Sequence, residues 1–134
     1  MKKCLLDTNI CIYIIKNRPE QVRKRLKEYA IGDLAISSIT VSELMYGANK
    51  SQYTEKNLKA VERFLLPFNI VDYDYKASLA YGEIRADLEK KGKVIGGLDM
   101  LIAAHAKSLD MILVTNNTKE FNRVIGLDID NWVE

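Results

Sequence analysis

The stretch Lys3-Cys4-Leu5-Leu6-Asp7-Thr8-Asn9 decides the fold. A short apolar run without alternation is the pattern of a strand covered on both faces, as in a parallel sheet. It stops at an acid, Asp7. Thr8 and Asn9 can cap a helix, although the β-branched content of Ile10 to Ile15 also suits a strand. Working outward, Pro19 stands where a helix starts, with Val22, Leu26 and Tyr29 at helical spacing and Gly32 as the stop. Leu34 to Ile36 predicts a second strand. Thr40 is expected to open a helix that ends near Gly47, and Leu58, Val61 and Leu65 mark another that Pro67 stops. Ile70 to Tyr73 predicts a third strand. Ala77, Ala80, Tyr81, Ile84 and Leu88 mark an amphipathic helix ended by Gly92. Leu98 to Leu109 is apolar nearly all round, the signature of a helix buried inside a domain. Met111 to Val114 is the fourth predicted strand and Asp128 to Asn131 a short last one. This alternation predicts one α/β domain over residues 1–134, a mostly parallel sheet with helices on both faces.

Composition agrees with a packed domain. The 134 residues are 48% hydrophobic and 28% charged, with only 7 Gly and 2 Pro, which excludes disorder and low-complexity polymer. No apolar run approaches the ~18 residues of a membrane span, and the start has no secretory pattern, so a cytoplasmic protein is expected. Cys4 and Cys11 form no CxxC pair, and with His105 the one histidine, a Cys/His zinc site is excluded. Both cysteines are expected to be buried and reduced, and His105 to be packed in the core. The net charge is +2. Basic residues cluster at Lys16, Arg18 and Arg23 to Lys27, and again at Lys90, Lys91 and Lys93. On pattern alone these are solvated helix faces.

In a parallel α/β sheet the site lies at the carboxyl ends of the strands. Three acids fall at strand-to-helix junctions. Asp7 closes the first strand, Glu43 lies in the first turn of the Thr40 helix, and Asp99 follows Gly96-Gly97 in the first turn of the buried helix. Glu120 comes after the fourth strand. Each has a structural explanation: a cap for Asp7, a Thr-x-x-Glu capping box for Glu43, a helix dipole for Asp99, an exposed loop for Glu120. Together they converge on one rim, where carboxylates within ~4–6 Å repel. A hard divalent cation with oxygen ligands, Mg²⁺ or Mn²⁺, removes that conflict. Such an ion suits phosphodiester hydrolysis, which needs no histidine. Thr8, Asn9, Thr115, Asn116 and Asn117 lie near the same rim, where they either orient carboxylates or make Asx turns and caps. No P-loop and no GxGxxG is present.

These residues resemble the motifs of the PIN-domain nucleases. Leu5-Leu6-Asp7-Thr8-Asn9 is similar to the opening motif of that family. Ile36 to Leu44 with Tyr46-Gly47 is similar to the second acidic motif, Asp99 to Ala106 to the third, and Leu113 to Asn117 with Glu120-Phe121 to the fourth. The likeness runs from Cys4 to Trp132, and the nearest subgroup is the VapC toxins of type II toxin–antitoxin modules. It implies a Mg²⁺-dependent endoribonuclease, with Mn²⁺ able to substitute, acting in several members on tRNA. It also implies a homodimer inhibited by a VapB-type antitoxin, with no membrane partner. Carried over by position, the catalytic acids are Asp7, Glu43, Asp99 and Glu120, with Asp7 and Asp99 holding the metal and Thr8, Asn9, Thr115 and Asn117 in support. Where some relatives place an Asp soon after the Thr, this chain has Asn116 and Asn117. The family fold also implies that Ile10 to Ile15 is helical, its apolar surface exposed on more than one side at an interface. The basic clusters would attract the RNA backbone, and Tyr13, Tyr46 or Tyr73 could stack an unpaired base.

A receiver domain is a second small α/β unit with an acidic Mg²⁺ pocket. It needs adjacent acids after the first strand, where Asp7 stands alone, and Asp72 and Asp74 are poorly placed for its phosphoacceptor. A nuclease-like fold that binds RNA without cutting it is a third reading, and the intact acids oppose it.

Overall fold

The computed structural model describes residues 2–134. Five strands form one sheet: β1 (Cys4–Leu6), β2 (Leu34–Ser37), β3 (Asn69–Val71), β4 (Ile112–Val114) and β5 (Ile129–Asp130). Their order is β3-β2-β1-β4-β5. Every pairing is parallel, with Leu5 beside Ala35 on one side and Leu113 on the other. β1 is central because its three residues are buried on both faces.

Alternation along the strands divides the core into two layers. Cys4, Leu6, Leu34, Ile36 and Val114 point to one side. There they meet α1 (Thr8–Lys16), α2 (Glu20–Lys27), α3 (Ser38–Lys50) and α4 (Thr54–Leu65). Leu5, Ala35 and Leu113 point to the other side, toward α5 (Tyr75–Lys90), α6 (Gly97–Ser108) and the short α7 (Thr118–Phe121). Trp132 closes the first layer, fully buried, with Tyr29 stacked on it at 5.3 Å. Both cysteines are free and buried. Among the described residues no helix is long and apolar enough to cross a membrane.

Several boundaries differ from the sequence expectation. Ile10 to Ile15 is helical, because Asp7 caps α1 and starts the turn. Its apolar surface is partly covered: Ile10 and Cys11 are buried, while Ile12 to Ile15 pack half-buried against the first core layer and keep part of their surface exposed. The helix expected from Thr40 begins two residues earlier, at Ser38, with Ser37 as its cap, and runs on to Lys50 through Gly47. Thr40 is therefore an interior, fully buried residue, and the Thr40–Glu43 capping box does not form. β3 ends at Val71 rather than Tyr73, and its first two residues are exposed, as suits an edge strand.

Candidate active site

All strands point the same way, so their carboxyl ends form one rim. The chain reverses its direction of travel across the sheet between β1 and β4, and this is where a ligand crevice opens. Asp7 ends β1 there, hydrogen-bonded through its amide to the Val114 carbonyl of β4 at 3.0 Å. Its Oδ1 accepts the Ile10 amide at 2.9 Å. The capping role expected of Asp7 is thus real, and it occupies one carboxylate oxygen.

Asp7, Thr8, Asn9, Glu43, Asp99 and Ile102 line a pocket of about 120 Å³ at this rim. Glu43 reaches it from the second turn of α3 rather than the first. Its Oε1 accepts the Thr8 hydroxyl at 2.5 Å, which ties α3 to the start of α1. Asp99 lies in the first turn of α6. Gly96 precedes that turn, and a Cβ there would meet Asp99 Oδ2 at 3.3 Å. The glycine expected only to make a turn therefore also gives the carboxylate room. Glu120, on α7, is held by the Asn117 amide at 3.0 Å. Asn117 is fixed in turn by its own backbone amide donating to Thr115 Oγ1 at 3.0 Å.

The electrostatics are those of crowded acids. Asp7 is 6% exposed. Burial raises its carboxyl from 3.8 to about 6; hydrogen bonds from Thr115 and the Ile10 and Asn9 amides pull it down, and the Glu43 charge pushes it up. Asp99 is raised by burial first, then by its hydrogen bond to Glu120, then by the charges of Glu120, Asp7 and Glu43. Acids from separate chain segments thus feel one another at this rim; Glu120 does not line the pocket and acts on it through Asp99. The ionisable groups lining the pocket are all carboxyls. Among the described residues no three acids, histidines or cysteines converge into a ready-made metal cage. Mg²⁺ does not require one, since it is commonly held by one or two carboxylates, with water and substrate phosphates completing the shell. Asp7 and Asp99 fit that mode.

The remaining polar candidates divide. Thr8, Asn9, Thr115 and Asn117 sit in or directly behind the pocket. Asn116 turns away and donates to the Tyr13 hydroxyl at 3.1 Å. His105 is fully buried, with Nδ1 2.8 Å from Ser37 Oγ and the Tyr73 ring edge-on to it, and burial lowers its pKa. It belongs to the core, as expected. Sequence reasoning missed Ser37, whose side chain both caps α3 and meets His105. A Ser-Ser pair at the end of an apolar run was the available signal. Within the first basic cluster Arg25 is not a free surface charge: it bonds Glu28 and Asp130 and lies over Trp132.

A family model described as PIN domain matches residues 4–127. Ribonuclease VapC2 of Haemophilus influenzae is 51% identical over 133 residues, covering 99% of this chain and 100% of that protein. The tRNA(fMet)-specific endonuclease VapC of Shigella flexneri is 48% identical over 132 residues, 98% of this chain and 99% of that one. Among solved structures, DNA-bound VapBC from Salmonella typhimurium matches with a TM-score of 0.92 and 46% identity over 98% of this chain and 99% of that chain.

Proposed function

Because the chain belongs to the PIN-domain family and, within it, to the VapC ribonucleases, we propose that it is the Mg²⁺-dependent endoribonuclease toxin of a type II toxin–antitoxin module. The observation that carries this reading is the pocket shared by Asp7, Glu43 and Asp99, in which the carboxyls of Asp7 and Asp99 are raised in part by the charges of the neighbouring acids. Asp7 and Asp99 hold the ion, and Mn²⁺ substitutes for it. When bound, the ion supplies positive charge to the phosphoryl oxygens and a lowered pKa for water. Asp7 is set in place by the Ile10 amide. The Thr8 hydroxyl occupies Glu43 Oε1 and leaves the second oxygen to take a proton from the attacking water. Asn117 steadies Glu120 beside Asp99. In-line attack of water on phosphorus leaves 5′-phosphate and 3′-hydroxyl ends.

The substrate is a tRNA, a reading supported by the Shigella flexneri relative, named for its action on tRNA(fMet). The partner is a VapB-type antitoxin, as the solved VapBC complexes suggest. A groove of about 330 Å³ between α1, α3 and α4 supports it. Ile12, Ile15, Leu44 and Val61 make the groove apolar and Glu43 stands at its edge, so an apolar peptide seated there adjoins the acids. The toxin itself is proposed to be a homodimer. Mapping the 5′ ends of cellular RNA after brief expression tests the reading. New 5′-phosphate ends at one position in a tRNA support it, and an unchanged end profile opposes it.

A further inference from the structure

Of the three tyrosines that could stack a base, two are occupied. Tyr13 is half-buried and bonded to Asn116, and Tyr73 packs edge-on against His105. Tyr46 is 67% exposed. It follows Glu43 by three residues on α3, so it stands on the same side of the helix about one turn further on. Lys50, one more turn along, holds its ammonium over one face of the Tyr46 ring, 5.2 Å from its centre, which leaves the opposite face to a base. Gly47 stands one turn from both Glu43 and Lys50, on the groove side of the helix. A glycine inside a helix destabilises it relative to alanine. A Cβ at Gly47 would meet nothing within 4 Å, so no internal contact requires its absence. Tyr53 and Tyr75 are equally exposed, but neither shares a helix face with a pocket acid.

We infer that Tyr46, Gly47 and Lys50 form a subsite for one unpaired nucleotide next to the scissile bond, the Tyr46 ring stacking the base and Lys50 meeting a phosphate. The inference rests on the ribonuclease reading above. Stacking on an aromatic face tolerates any base but requires it to be unstacked from its neighbours. A cation beside the ring serves the backbone that carries the base. The bare helix surface at Gly47, between Glu43 and Lys50, leaves room for the sugar on the pocket side of the ring. The subsite therefore selects looped or single-stranded RNA over duplex, and lies on the α3 side of the cut.

The test uses the full chain and a synthetic RNA stem-loop cut by the wild type, with 2-aminopurine beside the cleavage position. Tyr46→Ala should raise KM about tenfold with a much smaller change in kcat, since stacking is a binding contribution. Tyr46→Phe should keep the wild-type KM. Binding is read in an Asp99→Asn background, which removes cutting. There the 2-aminopurine fluorescence should be quenched when Tyr46 is intact or carries Tyr46→Phe, and much less with Tyr46→Ala. Equal quenching and equal KM for Tyr46→Ala would overturn the subsite, as would Tyr46→Phe behaving like Tyr46→Ala. So would a change of oligomeric mass in Tyr46→Ala, which would place the ring at a protein interface. A wild type that neither binds nor cuts any RNA would refute the ribonuclease reading itself, and the subsite with it.

Discussion

Replacing Asp7 with Asn alters the charge of the acid pocket and almost nothing else. The Asn oxygen can still accept the Ile10 amide, now bonded at 2.9 Å, so the helix cap survives. What disappears is a carboxyl held at about 6 rather than 3.8, chiefly by burial. A carboxyl whose pKa is higher in the folded than in the unfolded state destabilises the fold once it is charged. The deficit therefore grows as pH rises from about 4 to about 6 and is complete above that. From 3.8 to about 6 the deficit is about 3 kcal/mol, a ceiling for the gain on substitution. For a domain of this size the midpoint should rise by on the order of 5–10 °C. In EDTA at about pH 8, Asp7→Asn should thus melt above the wild type, and at about pH 5 the gap should shrink to roughly half. Saturating Mn²⁺ should narrow or reverse the order, because the ion stabilises only the folded state that binds it. Differential scanning calorimetry on both proteins, with and without metal, reads all of this. A gain independent of pH, or no gain at about pH 8, would refute the claim that Asp7 is a buried charge kept for a ligand.

Other changes separate catalytic from structural roles. Glu43→Gln should fold with a midpoint near that of the wild type, because Ser37 rather than Glu43 caps α3, while RNA cleavage falls by about 10²-fold or more if Glu43 takes the proton; a gel-based cleavage assay reads it. Gly96→Ala keeps a backbone conformation open to any residue, φ −54° and ψ 145°, so its melt should hardly move, but crowding Asp99 should lower cleavage several-fold. Gly126 has φ +79°, so Gly126→Ala should lower stability by about 1 kcal/mol in urea melts, with cleavage retained below the transition.

The layered fold was legible because its decisive elements are short and strongly patterned. Leu5-Leu6 between Cys4 and Asp7 reads as a doubly covered strand, and the apolar length of Leu98 to Leu109 suggests a helix inside the domain. The ends were less legible. A Thr-x-x-Glu pattern at Thr40 imitates a helix start, but the backbone turned earlier because Ser37 offered a cap as β2 ended. Gly47 looks like a stop, yet the 13 residues of α3 carry through it, since packing of Leu44 and Ala48 outweighs one glycine. The acids were readable as separate strand-end residues. Their crowding on one rim was readable too, but not which of them meet, because that depends on α6 and α7 bringing Asp99 and Glu120 to the rim from distant sequence. The Thr8–Glu43 bond and the inward turn of Arg25 are likewise long-range facts.

If the acid pocket cuts RNA with a divalent ion, chelation should abolish cutting. Purified protein is incubated with RNA in EDTA, then with Mg²⁺ or Mn²⁺ restored, and the ends of any fragments are typed. Cutting should stop in EDTA and recover with either ion, leaving 5′-phosphate and 3′-hydroxyl ends. Undiminished cutting in chelator, with 2′,3′-cyclic phosphate ends, would contradict this mechanism.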